Sequence, residues 1–187
     1  EGAHAVDVGD DLDSGDHRTQ ITGDRSLQGE QHADVLDGGD GNDIIDGGNG
    51  ADILIGGDGN DIINGGAGND SLEGGDGNDT LDGDDGIDTI DESANGNDLT
   101  VILTNAAGSL VDATDAETDV LLDIENVSTG SGNDTFTTSD ADSNTLDANG
   151  GTDTVNIEGG SGTITITRIS TDTVTASDTG LGIGSDT

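Results

Sequence analysis

Residues 38–82 read GGDGNDIID, GGNGADILI, GGDGNDIIN, GGAGNDSLE and GGDGNDTLD, five consecutive copies of Gly-Gly-x-Gly-x-Asp at a strict nine-residue interval. A fixed period of this length indicates stacked, similar units and not an ordinary globular fold. Partial copies flank the five, with GEQHADVLD at residues 29–37 and GDDGIDTID at residues 83–91. Seven units therefore share one register, and this stretch decides the fold.

An aliphatic residue occupies the eighth position of every unit, and Leu27 precedes the series at the same spacing. An amphipathic helix needs three or four apolar residues per two turns, so this pattern instead favours a three-residue strand whose middle side chain points inward. If successive strands lie on opposite sides, two units make one coil of eighteen residues. The predicted inner walls are Leu36, Leu54, Leu72 and Ile90 on one side, and Leu27, Ile45, Ile63 and Leu81 on the other.

The charge of the chain points to bound cations. Its 187 residues include 42 acidic side chains against 3 arginines and no lysine, which gives a formal net charge of −39. Of the acidic residues 35 are Asp and 7 are Glu, and the shorter Asp is the one that turns and metal loops favour. Halophilic or disordered acidity is the alternative interpretation, and the metal-free chain is expected to be disordered.

Several classes of function are disfavoured by the composition. No basic patch exists that could neutralise nucleic-acid phosphates or bind an anionic membrane, and no apolar run is long enough to span a bilayer. The chain has no cysteine, which excludes disulfides, zinc–thiolate sites and thiol catalysis. No HExxH, GxSxG or Walker A motif is present. The sequence therefore predicts that this chain is not an enzyme.

The repeated loops have the ingredients of calcium sites. Calcium takes six to eight oxygen ligands, more than one loop supplies, so two loops facing each other across one coil step are predicted to share an ion. The predicted partners are eighteen residues apart, namely Asp34–Asp52, Asp52–Asp70 and Asp70–Asp88 on one side, and Asp43–Asp61 and Asp61–Asp79 on the other. With fraying or extension, these pairs predict about four to seven calcium ions.

Main-chain carbonyls of the first four loop positions are expected to complete each shell, because carbonyls serve calcium as well as carboxylates do. The predicted metal-binding residues are Asp34, Gly38, Gly39, Asp40, Gly41, Asp43, Gly47, Gly48, Asn49, Gly50, Asp52, Gly56, Gly57, Asp58, Gly59, Asp61, Gly65, Gly66, Gly68, Asp70, Gly74, Gly75, Asp76, Gly77, Asp79, Gly83, Asp85, Gly86 and Asp88.

The two rows of loops differ at their third position. One row has Asp40, Asp58 and Asp76 there, whereas the other has Gln31, Asn49, Ala67 and Asp85. We therefore expect the first row to bind calcium more tightly or more uniformly.

The register slips from Glu92 onward. Residues 99–104, 118–127 and 163–169 are rich in Val, Ile and Thr and are predicted to be longer strands. GSGNDTF at residues 130–136 and GGTDTV at residues 150–155 look like degenerate repeats. The predicted division is an acidic N-terminal segment or cap at residues 1–28, a calcium-binding β-roll at 29–91, and an irregular β-solenoid or β-rich cap at 92–187.

The five units of residues 38–82 resemble the RTX (repeats-in-toxin, hemolysin-type) calcium-binding family, because each matches its nonapeptide GGxGxDxUx. With the two partial units, the resemblance covers about a third of the chain. It implies an all-β fold, a right-handed parallel β-roll or β-solenoid, a protein exported by a bacterium, and folding that waits for calcium outside the cell.

The sequence thus predicts a structural calcium-binding roll of a secreted or cell-surface bacterial protein, such as an adhesin segment or a subunit of a surface layer or extracellular filament. Uncapped solenoid ends favour end-to-end stacking, so a homo-oligomer or filament is an expected partner beside calcium. The alternative is the non-catalytic RTX tail of a secreted hydrolase or toxin, which a catalytic domain in the parent gene would favour. A ligand-binding module is the third interpretation.

Overall fold

A computed structural model describes residues 4–7, 23–29, 31–104, 107–138, 144–157, 164–168 and 175–178. All regular secondary structure in these ranges is β-strand. Accordingly, none of these residues belongs to a helix that is long and apolar enough to cross a membrane.

The described residues form twenty strands. The first eleven are β1 (His4–Asp7), β2 (Arg25–Gln28), β3 (Val35–Asp40), β4 (Ile44–Asp46), β5 (Ile53–Asp58), β6 (Ile62–Asn64), β7 (Ala67–Gly68), β8 (Ser71–Asp76), β9 (Thr80–Asp82), β10 (Asp85–Gly86) and β11 (Thr89–Asp91). The later nine are β12 (Leu99–Leu103), β13 (Gly108–Asp112), β14 (Glu117–Leu122), β15 (Asn126–Ser128), β16 (Thr135–Thr138), β17 (Asn144–Asp147), β18 (Thr154–Ile157), β19 (Ile164–Arg168) and β20 (Thr175–Asp178).

Two sheets of parallel strands enclose a thin core. The repeats place β2, β4, β6 and β9 side by side in one sheet and β3, β5, β8 and β11 in the other. Paired residues are eighteen apart, as in Leu27, Ile45 and Ile63. The second sheet has seven strands, one for each of about seven turns. The predicted all-β parallel solenoid, with two nine-residue units per coil, is confirmed.

The two predicted inner walls are also confirmed. All eight aliphatic side chains of the series are buried, with at most 7% of the surface of any one exposed. They belong to a single apolar cluster. The core is one side chain deep on each sheet because each unit contributes a single inward residue.

Strand length differs between the two sides of the roll. The predicted three-residue strands are present as β4, β6, β9 and β11, but β3, β5 and β8 have six residues each. On that side main-chain pairing continues through the loop, where Gly39 pairs with Gly57 and Asp40 with Asp58. On the other side, the pairing of loop residues that the structure describes consists of β7 with β10 and the bridge from Asn49 to Ala67. The prediction of a three-residue strand in every unit was therefore wrong for β3, β5 and β8, although β11 of the same sheet has the predicted length.

A three-stranded meander interrupts the roll in one sheet. The strand order there is β9, β14, β13, β12 and β16, and β13 is antiparallel to both of its neighbours. β14 takes the place beside β9, so Leu121 continues the inner wall after Leu81. In the other sheet β15 follows β11 directly. Strands β15 to β20 then alternate again between the sheets. The exact division of the chain into domains stays a prediction.

The predicted longer strands have mixed outcomes. Residues 99–104 contain β12, and residues 163–169 contain β19, although residues 163 and 169 lie outside the described ranges. Residues 118–127 were predicted as one strand, which was wrong. They divide between β14 and β15 because Asp123 turns the chain with a left-handed φ of 47°.

Candidate metal centre

From Asp52 to Asp88, the Asp at the sixth position of each unit accepts a hydrogen bond from the coil before it. Asp52 Oδ1 accepts the main-chain N–H of Asp34 at 2.7 Å, and Asp61 Oδ1 accepts that of Asp43 at 2.7 Å. The same bond, at 2.8 Å, runs from Asp52 to Asp70, from Asp61 to Asp79 and from Asp70 to Asp88. The structure therefore brings all five predicted pairs together as neighbours along two ladders.

The second oxygen of these carboxylates is buried and makes no hydrogen bond. This holds for Oδ2 of Asp43, Asp52, Asp61, Asp70, Asp79 and Asp88, whose residues are at most 2% exposed. Burying an ionised carboxylate oxygen without a partner costs several kcal/mol. A row of such atoms in a folded chain indicates that a cation is the missing partner.

All of these oxygens except that of Asp79 lie beside the first glycine of their unit and a main-chain carbonyl of the following coil. A Cβ atom built on Gly38 would lie 2.5 Å from both Asp43 Oδ2 and the carbonyl oxygen of Gly56. A Cβ on Gly47 would lie 2.6 Å from Asp52 Oδ2 and 2.5 Å from the Gly65 carbonyl. We call this arrangement a cradle, formed by the first glycine of a unit, Oδ2 of its Asp, and a carbonyl from the following coil. Further cradles begin at Gly29, Gly56 and Gly65.

Glycines at the second and fourth loop positions allow adjacent coils to approach closely. Gly57 has a φ of 107°, and a side chain there would collide with the Gly39 carbonyl. Gly59 has a φ of 140° and lies in the same way against the Gly41 carbonyl. Main-chain oxygens at these positions therefore face the next coil, while those of the first glycines face the previous one. The gap between coils is lined by oxygens from both sides.

Side chains at the third loop position lie outside the cradles. Those of Asp40, Asp58 and Asp76 are exposed, as are those of Asn49 and Asp85. Their main chain ties coils together instead, because the Asp58 carbonyl accepts the N–H of Gly41 at 2.8 Å. A ligand role for these five residues stays a prediction, and it rests on their carbonyls.

Burial raises the pKa of the ladder carboxylates. It raises the pKa of Asp52, Asp61, Asp79 and Asp88 to about 6, in spite of the main-chain hydrogen bond that each accepts. Neighbouring carboxylates of the same ladder raise these pKa values further. Near neutral pH the metal-free roll thus holds charges that its own environment disfavours.

The donor set fits calcium. In the described ranges no three His, Cys, Asp or Glu side chains converge on one point, so carboxylates alone do not make a site. A carboxylate oxygen combined with several main-chain carbonyls is the oxygen-only, geometrically tolerant set that calcium accepts. Zinc and copper favour nitrogen and sulfur ligands, and His32 of the first partial unit is the single His or Cys side chain in these loops.

The ladders extend to residues that the sequence analysis did not select. Asp79 N donates to Asp119 Oδ1 at 2.9 Å, and Asp88 N donates to Glu125 Oε2 at 2.8 Å. No eighteen-residue spacing marks these two acceptors, since the meander lies between. Farther on, Asp134 N donates to Asp153 Oδ1 at 2.9 Å. The degenerate repeats at residues 130–136 and 150–155 were the available signal for this last pair.

A separate ladder, of asparagines, runs along the surface beside one row of cradles. Asn60 N donates to Asn42 Oδ1 at 2.8 Å, Asn78 N to Asn60 Oδ1 at 2.9 Å, and Thr118 N to Asn78 Oδ1 at 3.0 Å. The eighteen-residue spacing of these asparagines could have revealed it. These side chains fix the spacing of neighbouring loops.

The family comparison agrees with this geometry. The family model described as RTX calcium-binding nonapeptide repeat matches residues 28–63 and 55–90. No curated protein matches the chain. RTX repeats are typical of secreted bacterial proteins, and their β-solenoid is a structural, non-catalytic kind of domain. Residues 28–90 are therefore a segment of RTX calcium-binding nonapeptide repeats, folded as a β-roll.

Proposed function

We propose that this chain is a structural, calcium-dependent β-roll of a secreted or cell-surface bacterial protein, and that it folds when calcium binds. The observation that carries the proposal is the row of buried, unpartnered Oδ2 atoms, one for each Asp from Asp43 to Asp88 in the repeats. The carbonyls that face them supply further oxygen ligands. The enclosed ions number five within the repeats, one for each predicted pair.

Electrostatics explain why folding would wait for calcium. The chain has a net charge of −39, and stacking brings equivalent carboxylates into neighbouring coils. Self-repulsion of this size opposes the compact state, and a core one side chain deep offers little apolar burial against it. When bound, calcium would supply two positive charges and several coordination bonds between adjacent coils.

The experiment compares the chain in a calcium chelator with the chain in excess calcium, by far-ultraviolet circular dichroism and size-exclusion chromatography. We expect a disordered, expanded chain in chelator and a compact β-rich one in calcium. Sodium chloride at matched ionic strength is the first control, because general charge screening would act there as well. Magnesium is the second, because its smaller octahedral shell fits carbonyl-rich loops poorly. Identical spectra with and without calcium would reject the proposal.

The wider role that we propose is that of a rigid spacer, an adhesin segment, or a subunit of an extracellular layer or filament. Solenoids with open ends stack end to end, which supports self-association of the folded roll. Electron microscopy and light scattering with and without calcium test this point. Calcium-dependent polymers would support assembly, and a monodisperse calcium-bound monomer would reject assembly while leaving calcium-dependent folding intact.

A further inference from the structure

A sixth complete cradle lies where the repeats meet the meander. Asp88 is fully buried, and its Oδ2 makes no hydrogen bond. A Cβ built on Gly83 would lie 2.7 Å from Asp88 Oδ2 and would collide with the carbonyl oxygen of Asp123. This is the same arrangement as in the repeats. The carbonyl, however, comes from a residue beyond position 90, where the family match ends.

Glu125 takes the place that an Asp occupies in the repeats. Its Oε2 accepts the N–H of Asp88 at 2.8 Å, whereas in the preceding coil Asp88 Oδ1 accepts the N–H of Asp70 at 2.8 Å. The longer Glu side chain thus reaches an equivalent position from the segment that follows the meander. A carboxylate of the ladder is preserved across the junction.

The main chain keeps the register of the repeats through this junction. Gly83 N donates to the Leu122 carbonyl at 3.0 Å, in the way that Gly65 N donates to the Asp82 carbonyl at 2.7 Å. Asn126 N donates to the Asp88 carbonyl at 2.8 Å, and one coil earlier Thr89 N donates to the Asp70 carbonyl in the same way at 2.9 Å. Two loops are therefore stacked here as they are in the roll, although 37 residues instead of eighteen separate Asp88 from Glu125.

The equivalent position on the other side of the roll is not complete. Asp79 N donates to Asp119 Oδ1 at 2.9 Å, so the ladder itself continues. The three atoms nearest to a Cβ on Gly74 nevertheless all belong to Asp79, and no carbonyl of the following coil is among them. The row of Asp88 therefore has a complete cradle where it meets the meander, whereas the row of Asp79 does not.

We infer that Asp88, the main-chain carbonyl of Asp123 and the carboxylate of Glu125 form an additional calcium site that fastens the meander and the strands after it to the roll. This inference rests on the proposed calcium-binding function. Hard oxygen donors and a fully buried carboxylate select a divalent cation of the calcium type. The site makes the order of β14 and β15 depend on calcium although neither strand belongs to the nonapeptide repeats.

The first test counts calcium ions on the full chain by native mass spectrometry at saturating calcium. We expect Glu125→Gln to bind one ion fewer than the unchanged chain, because the amide keeps an acceptor for the Asp88 N–H but lacks the charge. Glu73→Gln is the matched control: it removes the same charge from a half-buried glutamate of β8 that is not one of the ladder carboxylates, and should keep the full count. An unchanged count in Glu125→Gln would overturn the inference. Absence of calcium from the unchanged chain would instead reject the proposed function.

Hydrogen exchange supplies a second test that also monitors folding. Calcium should protect the amides of β14 and β15 in the unchanged chain, and Glu125→Gln should lose this protection while β5 and β8 keep theirs. Retained protection of β15 in the variant would contradict the inference. Equal loss in β5 would assign Glu125 a role in the folding of the whole roll and would likewise overturn the local site.

Discussion

Gly47→Ala tests the cradle directly, because the added methyl group would press against the two oxygens that are assigned to the ion. Real Cβ atoms essentially never come within 3.0 Å of another heavy atom, yet here the Gly65 carbonyl and Asp52 Oδ2 would be 2.5 and 2.6 Å away. Both oxygens must retreat by about half an ångström. The Gly65 oxygen belongs to the stacked main chain and Asp52 Oδ2 to a buried carboxylate of the ladder, so neither oxygen moves freely.

The expected loss has two parts. Overpacking of a closely packed site costs about 1–3 kcal/mol. Losing one ion at a calcium concentration of about 100 times its Kd removes about 2.7 kcal/mol of stabilisation. The sum predicts that Gly47→Ala lowers the free energy of unfolding by about 4–6 kcal/mol in calcium.

Urea unfolding in calcium buffer, followed by circular dichroism, measures this difference. Gly96→Ala is the control, since the nearest atom to its Cβ is Ser131 Oγ at 3.7 Å. It should leave stability unchanged or raise it by about 0.4–1 kcal/mol, because alanine restricts the unfolded chain. If Gly47→Ala unfolds at the same urea concentration as the unchanged chain and binds as many ions, the ions do not occupy the cradles.

Two further predictions concern the ladder carboxylates. Asp52, Asp61, Asp79 and Asp88 have pKa values raised to about 6 by burial, so the folded metal-free chain holds protons that the unfolded chain releases near pH 4. The stability of the metal-free chain is therefore greatest below about pH 4 and falls as the pH rises to about 6. Calcium binding has the opposite dependence: because it needs ionised ligands, calcium should bind more weakly as the pH falls through about 6. Calcium titrations at several pH values check this, and a midpoint independent of pH would contradict it. Asp61→Ala should reduce calcium affinity more than Asp70→Ala, because the exposed carboxylates of Asp40, Asp58 and Asp76 add negative charge beside the row of Asp61 at all of its third positions. Equal losses in isothermal titration calorimetry would reject this difference between the rows.

The fold of the repeats could be predicted because a strict period fixes which side chain points inward. Because two units make one coil, Leu36 and Leu54 were expected on the same inner wall, and the structure pairs them. The five aspartate pairs follow from the same spacing. The spacing does not predict which carboxylate oxygen accepts the main-chain hydrogen bond, since either oxygen of a carboxylate can accept an N–H.

The meander could not be predicted, because its contacts are set by pairing between distant segments. Val120 pairs with Thr80 across forty residues, and nothing in the local pattern of Val, Ile and Thr distinguishes a strand that stacks on the roll from one that folds back. The left-handed turn at Asp123 was hidden for a related reason, since Asp tolerates this conformation only somewhat better than most residues do. Glu125 was missed because it substitutes for Asp at a position that no repeat defines.

The most direct measurement of the central claim is a crystal structure grown in calcium, with the ions located by their anomalous scattering. The account predicts peaks between adjacent coils, within bonding distance of an Asp Oδ2 and of a glycine carbonyl from the next coil, as between Asp52 and Gly65. Peaks found only at the exposed carboxylates of Asp40, Asp58 and Asp76, or an ordered roll without any peak between its coils, would contradict it.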